Sequence, residues 1–369
     1  MGWTRTAELP GMPRARCAER WDYSDGATKL SCEVDVTIGK ALDVLSLKGT
    51  TLSEVRDYAA FLKTTAARLY GPAAARRTLT RCPSCGADAA GPDAITVFGQ
   101  GYARCGACGH GFVRRQPSEA VLDAVFSTSD EHSAVYVDRA NLEVRQTQII
   151  APKADWLLAN YRRLYANAPS SLLDVGAGGG HFVEAMRRRG MASEGYERSR
   201  ASRDFAAEAF GLTLRDGDFL ADVPERRDVV TFWGLLEYVP EPRRFLDQAR
   251  RCLTPESGLL VVEVPRLDCF GTAVQRQTPD TVARHMDPTS HMNAFTDASL
   301  ATALVETGFR PVAAWYFGMD LYEFLVQAAL RLDDKRILAE LADFIPPLQA
   351  SLDQGRQCDD LVIAACPIA

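Results

Sequence analysis

The sequence predicts an α/β fold: a doubly wound parallel sheet over residues 171–369 with an antiparallel strand pair at its end, preceded by a small four-cysteine ribbon and an N-terminal helical region. Three observations carry this. From Ser171 onward, apolar runs of strand length alternate with helical patterns, as in a parallel sheet. The first run, "LLDVGAGGG" at 172–180, passes Asp174 and then has glycine at every second position, Gly176, Gly178 and Gly180, where some ligand lies against bare backbone. Ahead of it, Cys82 and Cys85 are followed, after nineteen intervening residues, by Cys105 and Cys108. With 369 residues, 47% of them apolar, the chain is long enough for one large domain and something smaller.

Residues 1–80 begin irregularly, carry a β-like run at "SCEVDVTI" (31–38) and then one clear helix, "TLSEVRDYAAFLKTTAARLYGP". Thr51 and Glu54 form its capping box and Gly71-Pro72 its stop. Leu52, Val55, Ala59 and Leu62 share one face, so this helix packs against a neighbour. The ribbon takes 81–115, and 116–170 reads as a helical linker or cap. Within 171–369, strands at "SLLDVGA", "ASEGYE", "LTLRDGDF", "RDVVTFW" and "LLVVEVP" alternate with helices at "HFVEAMRRRG", "RSRASRDFAAEAFG" and "PRRFLDQARRCL". The helix "DASLATALVETGF", the strand "PVAAWYF", a helical insertion at about 320–354 and the strand "DLVIAACPI" follow.

Each CxxC sits on a tight turn whose glycine frees backbone amides toward thiolate sulfur, and two such turns make a tetrahedral zinc site. Two redox pairs are the other reading. Cysteine at all four positions leaves no open coordination site, so the metal is expected to be structural. The remaining six cysteines, Cys17, Cys32, Cys252, Cys269, Cys358 and Cys366, show no ligand spacing and read as reduced thiols. A net charge of −6 supplies no global attraction to nucleic acid or anionic lipid. Apolar stretches such as "GLLVVEV" are too short for a bilayer and the N-terminus lacks a signal-peptide core, so a cytoplasmic protein is expected.

The glycine loop alone admits a dinucleotide. Its spacing is GxGxG with His181 next, however, and not the GxGxxG of NAD sites. Together "LLDVGAGGGHF", "GYERS", "RDGDF" and "DVVTFWGLLEYVPEP", four motifs in order at predicted strand ends, resemble the class I S-adenosylmethionine-dependent methyltransferases, particularly the group similar to the ubiquinone-biosynthesis O-methyltransferase. The resemblance covers about 170–318, and a zinc ribbon directly before such a domain is familiar from bacterial methyltransferases. It implies a Rossmann-like sheet and S-adenosyl-L-methionine as cofactor. It also implies that Gly176, Gly178 and Gly180 pass beneath the amino acid and ribose and that Glu197 accepts the ribose hydroxyls. By the same resemblance Asp218 would take the adenine amino group with Phe219 beside the ring, and Asp174 would orient the loop or reach the ammonium. The resemblance also implies that the backbone of Trp233 and Gly234 lies nearest the sulfonium and that Tyr136 covers the cofactor. Taken alone, Asp218 reads equally as a cap and Glu237 as the start of the next helix.

Methyl transfer from a sulfonium is an in-line displacement, and a base is required only for an acceptor that must lose a proton. That base is expected in "ARHMDPTSHMNAF" (283–295), which follows the fifth strand. His291 is the first choice and His285 the second, with Tyr238 and Glu237 next. A purely structural His291, anchoring the loop through backbone bonds, is the competing reading. Tyr238 stands where many relatives have histidine. The expected acceptor is a small molecule, a sugar, glycan precursor or secondary metabolite, methylated at O, N or C. The alternative is an RNA or protein substrate presented by the ribbon, against which the acidic balance argues.

Overall fold

The computed structural model describes residues 2–6, 16–25, 28–48, 52–71, 76–89, 93–118, 120–122, 139, 141–222, 225–278 and 286–368. The strands are β1 (Gly2–Thr6), β2 (Arg16–Ser24), β3 (Lys29–Ile38), β4 (Arg76–Thr78), β5 (Asp93–Val97), β6 (Gln100–Arg104), β7 (Gly111–Val113), β8 (Arg115–Pro117), β9 (Ser171–Val175), β10 (Ala192–Tyr196), β11 (Val229–Trp233), β12 (Leu259–Pro265), β13 (Asn293–Ala294), β14 (Phe309–Phe317) and β15 (Asp360–Pro367). Nine of them form one sheet in the order β1-β2-β3-β14-β15-β12-β11-β9-β10. The four strands β10, β9, β11 and β12 run parallel, and β15 then enters antiparallel between β12 and β14. The doubly wound sheet with a terminal antiparallel pair is therefore present. Its carboxyl edge is where the strand order reverses about β9 and β11, the position at which such sheets bind ligands.

Helices cover both faces. They are α1 (Val44–Lys48), α2 (Leu52–Leu69), α3 (Leu142–Arg145), α4 (Ala151–Tyr165), α5 (His181–Arg188), α6 (Arg200–Phe210), α7 (Pro242–Cys252), α8 (Phe270–Gln275), α9 (Asp297–Glu306), α10 (Asp320–Leu332), α11 (Arg336–Glu340) and α12 (Ile345–Gln354), with a π-helical turn at Gln146–Ile150 joining α3 to α4. Strand alternation assigns the faces. Leu173, Val230, Val262 and Ile363 point to one core with Leu246 and Leu300, whereas Leu172, Val229, Val261 and Val362 point to the other with Leu157 and Tyr161 of α4. Among the described residues, no helix is long and apolar enough to cross a membrane.

Two readings are corrected. The run "LTLRDGDF" forms no strand: it contributes one parallel bridge, Arg215 to Tyr196, and then turns. Its centre, Arg215-Asp216-Gly217-Asp218, is largely exposed at the sheet's edge, where three charged residues and a glycine gain nothing from burial. Among the described residues the N-terminal region has four strands besides its helices, and β3 pairs in parallel with β14, so β1–β3 extend the main sheet while β4 pairs with β8. The β2 alternation was hidden because Glu19 faces inward with Trp21 and Tyr23, where its carboxylate pairs with Arg356 and accepts the Trp21 indole N–H at 2.9 Å. Of the capping box before α2, Thr51 lies outside the described residues.

The cysteine region forms a second, four-stranded sheet, β13-β7-β6-β5, whose edge strand β13 comes from the segment after β12. Phe112 pairs with Asn293 and Gly111 with Ala294. The ribbon is thereby joined to a loop at the carboxyl edge of the main sheet.

Candidate functional site

The glycine loop follows β9 directly. Gly176, Gly178 and Gly180 have φ of +76°, +52° and +75°, a region L side chains rarely enter. A Cβ on Gly176 would also lie 3.0 Å from Leu235 Cδ1, and one on Gly180 2.9 Å from Leu212 Cδ1 and 3.1 Å from the Ala206 methyl. The glycines are thus required by the fold of the loop as well as by anything that lies on it. Gly176 and Ala177 both donate to the Tyr196 carbonyl at 2.9 Å, which fixes the loop to the end of β10.

Glu197 stands just past β10. One carboxylate oxygen accepts the Gly178 N–H and the other the Ser199 N–H, both at 2.7 Å, while burial raises its pKa against these bonds. Asp174, one residue from the end of β9, is buried and accepts the Thr231 hydroxyl at 2.7 Å. Burial pushes its carboxyl up to about 7, with the Thr231 bond and Lys153 opposing. Asp218 is exposed and accepts the Leu220 N–H at 2.9 Å, so it caps a turn. Phe219 beside it is buried among Tyr196, Phe232 and Phe245, with ring centroids 5.8, 6.0 and 5.9 Å away.

Trp233 ends β11, and Gly234 follows it with φ +65°. The Trp233 ring meets Phe182 edge-on at 4.9 Å, and its buried Nε1 has no hydrogen-bond partner. Glu237 is 4% exposed, one turn beyond. Its Oε1 would lie 3.2 Å from a Cβ on Gly234, and its Oε2 has no partner. Burial, reinforced by the negative charge of Glu263, pushes the Glu237 carboxyl up to about 8. Its backbone carbonyl accepts from Met292 N (2.6 Å) and Asn293 N (3.0 Å), which joins it to the loop carrying His291. There the His291 ring stands perpendicular to Tyr238, centroids 4.8 Å apart. Asp287 shapes this loop by accepting from Thr289 N, Thr289 Oγ1 and Ser290 Oγ at 2.8–2.9 Å.

The glycine loop, Glu197, Asp174, Trp233 and Gly234 therefore lie along one edge, with Glu237 beyond Gly234 held to the His291 loop through Met292 N and Asn293 N, and Tyr238 against the His291 ring. Phe219 is turned into the core. Tyr136 and His285 lie outside the described residues.

The same edge holds charged groups that sequence reasoning missed. Lys153 of α4 forms a buried ion pair with Glu263 of β12, its Nζ 4.8 Å from the centre of the Trp233 ring. Asp360, the first residue of β15, is raised well above a normal carboxyl by burial and by Glu263. Lys40 lies 4.7 Å above the Phe317 ring and is lowered to about 8, chiefly by burial. The available signals were a lone acid inside the apolar run "LLVVEV" and a lysine on the buried face of an amphipathic helix.

In the ribbon, Gly86 N donates to Cys82 O and Gly109 N to Cys105 O, both at 2.9 Å, so the two CxxC turns have the same geometry. The four buried Sγ atoms lie within 4.8 Å of one another, with Cys82–Cys108 and Cys85–Cys105 both at 3.7 Å. A tetrahedral ion with metal–sulfur bonds of about 2.3 Å places its sulfurs ~3.8 Å apart, so the donor set fits a metal.

The glycine loop, the acid after the second parallel strand (β10) and the Trp233–Glu237 segment after the third (β11) thus share one edge of the sheet. Residues 146–314 match the family model described as a methyltransferase domain. The ubiquinone biosynthesis O-methyltransferase of Coxiella burnetii (strain RSA 493 / Nine Mile phase I) is 31% identical over 102 residues, 26% of this chain and 44% of that protein. The protein of the same name from Saccharophagus degradans is 30% identical over 119 residues, 30% of this chain and 50% of that one. The chain thus spans half or less of the length of these curated relatives. Among solved structures, the magnesium protoporphyrin IX methyltransferase of Synechocystis PCC 6803 with bound SAH is similar at 11% identity and TM-score 0.46, covering 68% of this chain and all of that one.

Proposed function

We propose that this chain is an S-adenosyl-L-methionine-dependent methyltransferase acting on a small molecule. The observation that carries the reading is Glu197 clamped to Gly178 N beside the glycine loop, within a segment that matches the methyltransferase family. Gly176, Gly178 and Gly180 would lie beneath the amino acid and ribose, Glu197 would accept the ribose hydroxyls, and Asp174 would hold the loop through Thr231. The cofactor supplies an activated methyl group on a sulfonium. The chain's own work is alignment and exclusion of water between Trp233, Gly234 and the Glu237–His291 pair of loops. Asp218 keeps the adenine role only if its turn opens toward the ligand, and Phe219 supports that turn from the core.

Glu237 is the base this geometry supports best. Its orphan oxygen, complete burial and raised pKa suit it to take a proton from an acceptor hydroxyl, amine or acidic carbon above neutral pH. His291 and Tyr238 then frame the acceptor. The four ribbon cysteines would hold Zn2+ in a closed, structural site. Their turns face the main domain, with Ser84 Oγ donating to Ser299 O at 2.8 Å. This favours a structural ribbon over one that presents RNA or protein.

Calorimetry is the test: S-adenosylmethionine should bind and NAD should not. The opposite result overturns the proposal. Labelled cofactor offered to pools of metabolites, tRNA and protein should mark the metabolite fraction, and label in the tRNA or protein pool would establish the alternative.

A further inference from the structure

The cysteine ribbon and the Glu237 loop are connected by an unbroken run of buried hydrogen bonds. Cys105 N donates to His110 O at 2.8 Å, which closes the second CxxC turn and sets the backbone of His110. The His110 ring is fully buried, and its Nε2 lies 3.0 Å from Asn293 Oδ1. Asn293, also fully buried, donates through Nδ2 to Leu236 O at 3.1 Å and to Val239 O at 2.7 Å, the carbonyls that bracket Glu237 and Tyr238. Those two acceptors fix the amide orientation, because only the NH2 end can donate to both. Oδ1 therefore faces the imidazole, and Nε2 must carry the proton. His110 Nδ1 is left as a bare acceptor, in keeping with its lack of a partner. Around this chain, Met292 N and Asn293 N bond the Glu237 carbonyl, Val113 N bonds Met292 O at 3.0 Å, and Tyr102 OH bonds His291 O at 2.8 Å.

We propose that the ribbon is a positioning element for the acceptor site: through His110 and Asn293 the Cys105–Cys108 turn holds the 236–239 segment, so the state of the four-cysteine site sets the geometry of Glu237 and Tyr238. This goes beyond a ribbon that merely stabilises its own residues. No thiolate reaches the acceptor, and His110 and Asn293 act through the backbone of their neighbours. A buried amide with three polar commitments has few alternative arrangements, so loss of its partner at His110 is felt at Leu236 and Val239. The proposal rests on the methyltransferase reading only for the name of the site; the mechanical link stands on the bonds alone.

The test uses the full chain and amide hydrogen exchange read by mass spectrometry, with His110→Phe as the main variant and His110→Gln as its control. Phenylalanine keeps the ring that packs 4.6 Å from Phe295 but removes the donor, whereas glutamine retains a donor at a similar reach. His110→Phe should speed exchange about tenfold in 234–241 and 290–294 while 171–199 stays at the wild-type rate, and His110→Gln should return both segments to within about threefold of wild type. Cys105→Ser should reproduce the phenylalanine pattern. Equal behaviour of the phenylalanine and glutamine variants, or acceleration confined to 79–113, overturns the proposal. S-adenosylmethionine affinity, measured on the same preparations, should be unchanged in His110→Phe. Failure of the wild type to bind it would overturn the methyltransferase reading and leave the mechanical link intact.

Discussion

Glu237→Gln should stabilise the protein, increasingly so as pH rises, while removing the proposed base. Burial raises the Glu237 carboxyl from about 4.5 to about 8. The sign follows from linkage. An acid whose folded pKa is raised binds its proton more tightly in the native state, so its contribution is intact below pH 4.5 and is lost as pH rises through 8. At 1.36 kcal/mol per pH unit over the interval between the two values, full ionisation costs about 5 kcal/mol, of which about 3 kcal/mol has already been lost at pH 7. Glutamine keeps the shape and cannot ionise. The stability difference between variant and wild type should therefore be small at pH 4, about 3 kcal/mol in favour of the variant at pH 7, and larger still at pH 9. Urea unfolding of both proteins at five pH values measures it. A difference that does not change with pH would refute the buried carboxyl, with one oxygen unpartnered, on which the catalytic assignment depends.

Glu197→Ala should weaken S-adenosylmethionine binding by roughly a hundredfold, since about two charge-assisted bonds are lost together with the clamp on Gly178 N, and calorimetry reads the change. Gly180→Ala should cost about 2 kcal/mol or more in thermal stability, because a positive φ is combined with a methyl placed 2.9 Å from Leu212. Elemental analysis should find one zinc per chain. Cys82→Ser should lower the melting temperature while leaving cofactor affinity within about twofold of wild type. In a turnover assay, once an acceptor is found, His291→Gln should retain measurable activity and Glu237→Gln should not.

The parts of the fold legible in the sequence were those where one physical signal dominates. Apolar runs broken by glycine and proline mark β9, β11, β12 and β15, and cysteine spacing marks the ribbon, whose four sulfurs do converge. Legibility failed where polar residues face inward. Glu19 on β2 breaks the alternation that would have named the strand, and its compensation, Arg356, is more than three hundred residues away. The same is true of the site. Asp174 and Glu197 follow strands in a known pattern, whereas Lys153, Lys40 and Asp360 matter only because three distant segments place them at one sheet edge. Phe219 shows the same limit: a motif fixes its position in the chain but not that its ring packs against Tyr196, Phe232 and Phe245.

The placement of those charges follows from topology. On the sheet face covered by α4, side chains alternate outward at Asp174, Thr231, Trp233, Glu263 and Asp360, each at or near the carboxyl end of its strand or, for the antiparallel β15, at its start. Inserting β15 antiparallel brings its first residue to the same edge as the last residues of its neighbours, so a single sheet boundary collects acids from three strands, β9, β12 and β15. Left unpaired, that row would repel itself at low dielectric. Lys153 from above and Lys40 from beyond β3 offset it, with the Trp233 and Phe317 rings beneath them. The N-terminal strands thus do more than widen the sheet: β3 must lie beside β14 for Lys40 to reach Asp360. Lys40→Met should therefore leave Asp360 with less compensation and raise its carboxyl further, a change visible as altered pH dependence of unfolding above pH 7. An identical pH profile in Lys40→Met would show that Lys40 does not offset the acidic row and that β3 serves packing alone.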